Sequence, residues 1–97
     1  MPVEWTLTAR RATFRIFLWI AQENPHAARA VYEAIFATAD GLERFAERHR
    51  DRGGGRRRIP VDGFPNYYIR YRVAERGGRR VVVIETVRHG AMDRVPT

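Results

Sequence analysis

Residues 59–93 read IPVDGFPNYYIRYRVAERGGRRVVVIETVRHGAMD. From Tyr67 to Val73 the residues Tyr67, Ile69, Tyr71 and Val73 alternate with Tyr68, Arg70 and Arg72. A period of two is the mark of a strand with one face against a core, so the arginines occupy the other face. The run Val81 to Val87 is apolar at both parities until Glu85, which predicts a central strand covered on both sides. Glu75 to Arg80, with Gly77-Gly78 at its centre, supplies the hairpin turn between the two. Ile59–Val61 begins a three-strand run, and Pro60, whose missing N–H no ladder can need, makes that strand short or an edge there.

Working outward, Val3, Trp5 and Leu7 alternate with Glu4, Thr6 and Thr8 and predict a short half-buried strand. Thr8 is the expected cap of a helix running to about Glu23, with Ala9, Ala12, Ile16, Trp19 and Ile20 on its core face. Phe14, Phe17 and Leu18 widen the apolar face beyond one core contact. Two readings follow: a helix buried between two layers, or an apolar face left for a partner chain. Asn24-Pro25 starts a second helix, since Asn caps well and Pro fits the first turn. Ala28, Val31, Tyr32, Ile35, Ala39 and Leu42 keep helical spacing. Asp40-Gly41 predicts a kink or break, with Leu42 and Phe45 still packed. The segment from Arg48 to Arg58, with its triple glycine, reads as a polar loop.

The order β-α-α-β-β-β therefore predicts an α+β fold: a two-helix hairpin packed on one face of a small antiparallel sheet. The length of 97 residues fits a single domain over residues 1–97 with a modest core. The sequence has no repeats.

Composition narrows the chemistry. Cysteine and serine are both absent, which excludes disulfides, thiolate metal sites and a serine triad. All 18 basic residues are arginine against 11 acids, giving a net charge of +7. A GC-rich genome accounts for arginine over lysine, and the absence of lysine excludes Schiff-base chemistry. The charge itself attracts nucleic acid or an acidic protein. Glu4 and Arg10 interrupt any signal-peptide pattern, and the apolar stretch Ile16–Ala21 is too short to span a bilayer, so the cytosol is the expected location and no membrane partner is expected. His26, His49 and His89 are too dispersed for a metal-ligand motif, and neither metal nor cofactor is expected. His89 follows the central strand, where a structural or solvated role is the simpler reading.

Phe64-Pro65, the Tyr71-Arg72-Val73 triplet, the turn, the Val/Ile strand and the closing Val87-x-His89-x-x-Met92-Asp93 resemble the RelE/ParE superfamily of toxins from bacterial toxin–antitoxin modules. The last element is more similar to the ParE branch. The ribosome-dependent, mRNA-cleaving branch implied by the resemblance uses several cations on the sheet and a basic or aromatic C-terminal segment. Arg58 matches one such position. Pro60 and Tyr68 stand where cations belong, and Gly90, Ala91 and Met92 replace basic residues. The resemblance thus implies a ParE-like toxin that is not an enzyme, inhibits DNA gyrase and is neutralised by a cognate antitoxin, with which it forms a hetero-oligomer. The alternatives are an mRNA endonuclease acting with the ribosome and a basic nucleic-acid-binding module. The antitoxin is expected to be acidic, laying a helix on the apolar groove and a strand or helix on the basic surface. Candidate target- or antitoxin-binding residues are Phe14, Phe17, Leu18, Arg58, Tyr68, Arg70, Arg72, Arg88, His89, Met92 and Asp93, with no catalytic residue among them. Arg70, Arg72 and Arg88 read equally as a solvated face.

Overall fold

Thr6, rather than Thr8, opens the first helix. Its hydroxyl oxygen accepts the Ala9 N–H at 3.1 Å and its O–H donates to the Ile84 carbonyl at 2.8 Å. One side chain thereby caps the helix and fixes it to the sheet, which Thr8, inside the first turn, cannot do. The computed structural model describes residues 1–91. In it strand β1 (Val3–Trp5) is followed by helices α1 (Leu7–Ala21) and α2 (Pro25–Phe45), a 3-10 turn (Ala46–Arg48), and strands β2 (Arg56–Val61), β3 (Phe64–Arg76) and β4 (Arg79–His89). Helix α1 ends at Ala21, two residues short of the expected Glu23.

The second cap is as the sequence implies. Asn24 Oδ1 accepts the Ala27 N–H at 3.0 Å, with Pro25 in the first turn. The expected break at Asp40-Gly41 does not occur, and α2 runs unbroken to Phe45. The roughly 1 kcal/mol cost of a helical glycine is met by the packing on either side of it, where Ala39 and Leu42 are buried. Phe45, expected in the core, is exposed, and the Arg48 guanidinium lies 4.8 Å from its ring centre.

The strand order is β1-β4-β3-β2. β2–β3 and β3–β4 are antiparallel, while β1 runs parallel to β4, so the sheet is mixed rather than wholly antiparallel. Both α1 and α2 lie between β1 and its partner in sequence, which gives the chain length enough to return for a parallel pairing. β4 is central, and Val81, Val82, Val83 and Ile84 are all buried. The β3–β4 hairpin turns through Gly77 and Gly78 with φ of 58° and 80°. Two successive positive φ values are the mark of a type I′ turn, whose twist matches the strands. Of the two options that Pro60 left open, a short strand or an edge, β2 takes the edge, and it begins at Arg56, so Arg56–Arg58 belong to a strand and not to the loop.

The core lies between the hairpin and one sheet face. Ile35, Val31, Ala39 and Leu42 of α2 and Ala9 and Ile16 of α1 pack on Ile69, Tyr71, Val82, Ile84 and Val87. Tyr71 is fully buried and its O–H donates to the Ala46 carbonyl, joining β3 to the end of α2. Burial pushes the Tyr71 phenol up to about 12. The Asp62–Gly63 turn is held to α2 by the Asp62 N–H donating to Thr38 Oγ1 at 3.0 Å. Among the described residues no helix is long and apolar enough to cross a membrane.

Candidate functional site

The buried stripe of α1 is Ala9, Ala12, Thr13 and Ile16. That stripe meets the sheet and α2, with Phe17 and Ile20 half-buried at its edges and several large apolar residues beyond them exposed. Phe14 is 53% exposed and Leu18 48%. Trp19, read from its spacing as a core residue, is 73% exposed. Its neighbour Ile20 packs against the core, whereas the indole lies along the cleft at the ends of β3 and β4. Phe17 is half-buried and links two aromatic neighbours. Its ring is 6.3 Å from Phe14 in near-parallel orientation and 5.3 Å from Tyr32 edge-on. Tyr32 meets Phe36 at 5.0 Å, and Phe36 meets Trp5 at 4.6 Å. Five aromatic rings thus run from the outer side of α1 across α2 to β1. Edge-on and offset pairs of this kind are worth about 0.5–1.5 kcal/mol each beyond the area they bury. The result is a connected aromatic surface on the helical side.

The opposite face of the sheet is built from cations. In the β2–β3 register Arg56 stands opposite Arg72 and Arg58 opposite Arg70, and in β3–β4 Tyr68 stands opposite Arg88. Strand alternation sends these away from the helices, because Ile69 and Tyr71 between them are in the core. A bulge between Arg70 and Tyr71 shifts the β4 partner from Thr86 to Ile84 and leaves Glu85 as the extra residue. Glu85 uses that freedom to approach Arg56 Nε at 3.9 Å and Arg72 Nε at 3.6 Å. The Arg58 guanidinium lies 4.5 Å above the Tyr68 ring. Tyr68 is consequently buried under it, although no helix covers this side. Arg70 Nε is buried without a hydrogen-bond acceptor.

A third feature lies at the end of the sheet. A cleft of about 700 Å³ opens between α1 and the ends of β3 and β4, lined by Ala12, Arg15, Ile16, Trp19, Tyr67, Thr86, Val87, Arg88 and His89. The Tyr67 and His89 rings meet edge-on at 4.8 Å, and burial raises the Tyr67 phenol. His89 Nδ1 accepts the Ala91 N–H at 3.0 Å, so this histidine orders the backbone beyond the strand. His26 is exposed on the first turn of α2, and His49 has its proton affinity lowered by burial and then by Arg48. Among the described residues no three His, Asp or Glu side chains form a group able to hold a metal ion.

The site residues expected from sequence therefore fall in three places. Phe14, Phe17 and Leu18 share the helical face. Arg58, Tyr68, Arg70, Arg72 and Arg88 share the open sheet face. His89 sits at the cleft, and Met92 and Asp93 lie outside the described residues. Sequence reasoning missed Trp19 and Leu7 as exposed apolar residues, and Arg56 and Glu85 as partners. The signal for Glu85 was present: it is the lone acid in an otherwise apolar central strand.

The family model for the ParE toxin of the type II toxin–antitoxin system parDE matches residues 3–94. No curated protein matches the sequence. Among solved structures, a chain of the chromosomal ParDE toxin–antitoxin system from P. aeruginosa is similar over 92% of this chain and 95% of that one, with a TM-score of 0.77 and 16% identity. A YoeB/ParE toxin from Agrobacterium tumefaciens is similar over 92% and 98%, with a TM-score of 0.45 and 16% identity. The first of these likenesses is one of fold.

Proposed function

The chain belongs to the ParE family of toxins of type II toxin–antitoxin systems, and from that premise we propose that it arrests growth by binding an essential target, DNA gyrase, and not by catalysis. An acidic antitoxin neutralises it by folding over the helical hairpin. The observation that carries the antitoxin part is the aromatic row that starts at the exposed Phe14, with the exposed Leu18 one helical turn on from it. Exposed large apolar residues grouped in one row mark a surface that a partner covers. An amphipathic helix laid on such a surface gains affinity from burial. The net charge of +7 accelerates the encounter with an acidic chain and makes it salt-sensitive.

The non-catalytic part is supported by side-chain chemistry. General acid–base cleavage of RNA needs a proton acceptor and a proton donor near the reacting phosphate, with ordinary values near neutral pH. The cup beside Arg58 and Arg70 is lined by guanidiniums, which do not deprotonate, and the phenol of Tyr68, while the carboxylate of this face, Glu85, lies against Arg56 and Arg72. The gyrase target rests on family membership, and the cytosol follows as the place of action.

The test expresses the chain alone in a bacterium, then with the product of the neighbouring reading frame. Growth arrest relieved by the neighbour is the expected result, together with a DNA-damage response and inhibition of gyrase supercoiling by the purified protein. Codon-phased mRNA cuts on purified ribosomes would replace this reading with the endonuclease one.

A further inference from the structure

The open sheet face has an arrangement that folding does not explain. Arg56 opposes Arg72 and Arg58 opposes Arg70 in adjacent cross-strand pairs. Side chains directly opposite one another have Cβ atoms about 5 Å apart, and like charges in that position weaken strand pairing. Glu85 lies against the first pair. At the second pair, Arg70 keeps a buried Nε without an acceptor. Beside it lies a cup of about 280 Å³ lined by Arg52, Arg56, Arg57, Arg58, Tyr68 and Arg70. Five guanidiniums around one concavity have the electrostatics of an anion site.

The kind of anion follows from what the face lacks. The exposed large apolar side chains among the described residues are Leu7, Phe14, Leu18, Trp19 and Phe45, and all lie on the helices. A protein partner therefore finds its anchors on the other side of the molecule, and on this face the apolar Val81 and Val83 of β4 are buried, so what it offers outward is charge and hydrogen-bond donors. Tyr68, its aromatic residue, is sealed beneath Arg58 and gives no stacking platform for a base. Arginines two apart on one strand are about 6.8 Å apart, the scale of successive phosphates along an extended nucleic-acid strand. The guanidinium fork matches phosphate oxygens in pairs.

We propose that the open face of the sheet, centred on Arg58 and Arg70, binds the sugar–phosphate backbone of a nucleic-acid strand without reading its bases. This goes beyond the toxin reading and does not depend on the identity of the target. Backbone binding releases counterions, so affinity falls steeply with salt, with a slope of roughly 0.7 per phosphate contact for a single strand and 0.9 for a duplex.

The test is fluorescence anisotropy with the full chain and a labelled oligothymidylate, free or annealed to oligoadenylate, across a salt series. Comparing the two forms identifies single strand or duplex as the source of the phosphates. Arg58→Gln with Arg70→Gln should weaken binding at least about tenfold and lower the salt slope by roughly 1.4 on the single strand. Arg29→Gln with Arg44→Gln removes the same charge from α2 and should leave both quantities unchanged. Arg58→Lys with Arg70→Lys keeps the charge, so it should hold the slope while losing affinity, and it serves where the Gln pair fails to fold. Replacing the labelled strand with one of mixed sequence should change nothing. Equal losses in the α2 control would overturn the proposal by reducing it to net charge. So would displacement of the strand by polyglutamate at matched charge as readily as by unlabelled strand, which would assign the face to an acidic protein.

Discussion

Along α1, Phe14, Leu18 and Trp19 stand exposed around the buried Ile16. Along β3, Arg70 and Arg72 stand on the open face around the buried Tyr71. Both elements meet the demands of folding with their buried stripe, and in each the outward residues are left over. In one they are aromatic and aliphatic, in the other cationic. Folding requires neither choice, because polar neutral residues would serve an exposed helix flank or an open sheet face at least as well. The difference separates two kinds of recognition: burial with slow release on the helices, and charge with fast, salt-dependent encounter on the sheet.

The comparison breaks most visibly if the helical row is core after all. Phe14→Ala with Leu18→Ala should weaken antitoxin binding by about 2 kcal/mol per anchor, roughly 30-fold each, measured as dissociation rate by surface plasmon resonance. Urea unfolding of the free protein should shift by no more than about 0.5 kcal/mol. A stability loss equal to the binding loss would turn the row into ordinary core. On the sheet side, Glu85→Gln removes the acid lying against two opposed arginines. We expect a loss of about 1–2 kcal/mol, less than for a fully buried pair because the arginines are half in solvent. Adding Arg72→Gln should recover part of it, since the repulsion then has one member.

Tyr71 sharpens the boundary between the two faces, because it is the buried residue between two half-buried arginines. Tyr71→Phe deletes the hydrogen bond to the Ala46 carbonyl and should cost about 1 kcal/mol. Its phenol is raised from 10.0 to about 12. The folded state therefore holds a proton that the unfolded state releases. That contribution is fully present below pH 10 and is lost as pH rises through 10 to about 12. Alkaline unfolding monitored by circular dichroism should show a fall in stability in that window, smaller in Tyr71→Phe, where the raised phenol of Tyr67 still contributes. The smallest effect is expected at Arg29, whose Nε lies 3.1 Å from Glu33 on the exposed side of α2. Arg29→Ala should change stability by at most about 0.5 kcal/mol.

Much of this molecule is legible in its sequence because local physics decides it. Asn24-Pro25 caps a helix wherever it occurs before an apolar periodic run, Gly77-Gly78 permits the two positive φ values of the hairpin, and the Tyr67–Val73 alternation assigns one parity to the core. The same alternation placed Arg70 and Arg72 on one face, and only the pairing of β2 with β3 added Arg58, read from the sequence as loop, beside them. Other features depend on neighbours remote in the chain. Thr6 outcompetes Thr8 because only Thr6 also reaches Ile84, 78 residues away. Gly41 sits in an unbroken helix because its flanking residues are packed. Trp19 and Phe45 follow helical spacing yet lie outside the core, since periodicity gives a side and not how wide a stripe of it the core covers. Arg56 joins β2 because β3 is long enough to pair with it, and Glu85 finds its two arginines only through a bulge. Periodicity, caps and turns act over a few residues and are written in order along the chain. Register, parallel pairing and the limits of a packed layer are set by contacts between residues far apart in sequence, and those exist only once the chain has closed on itself.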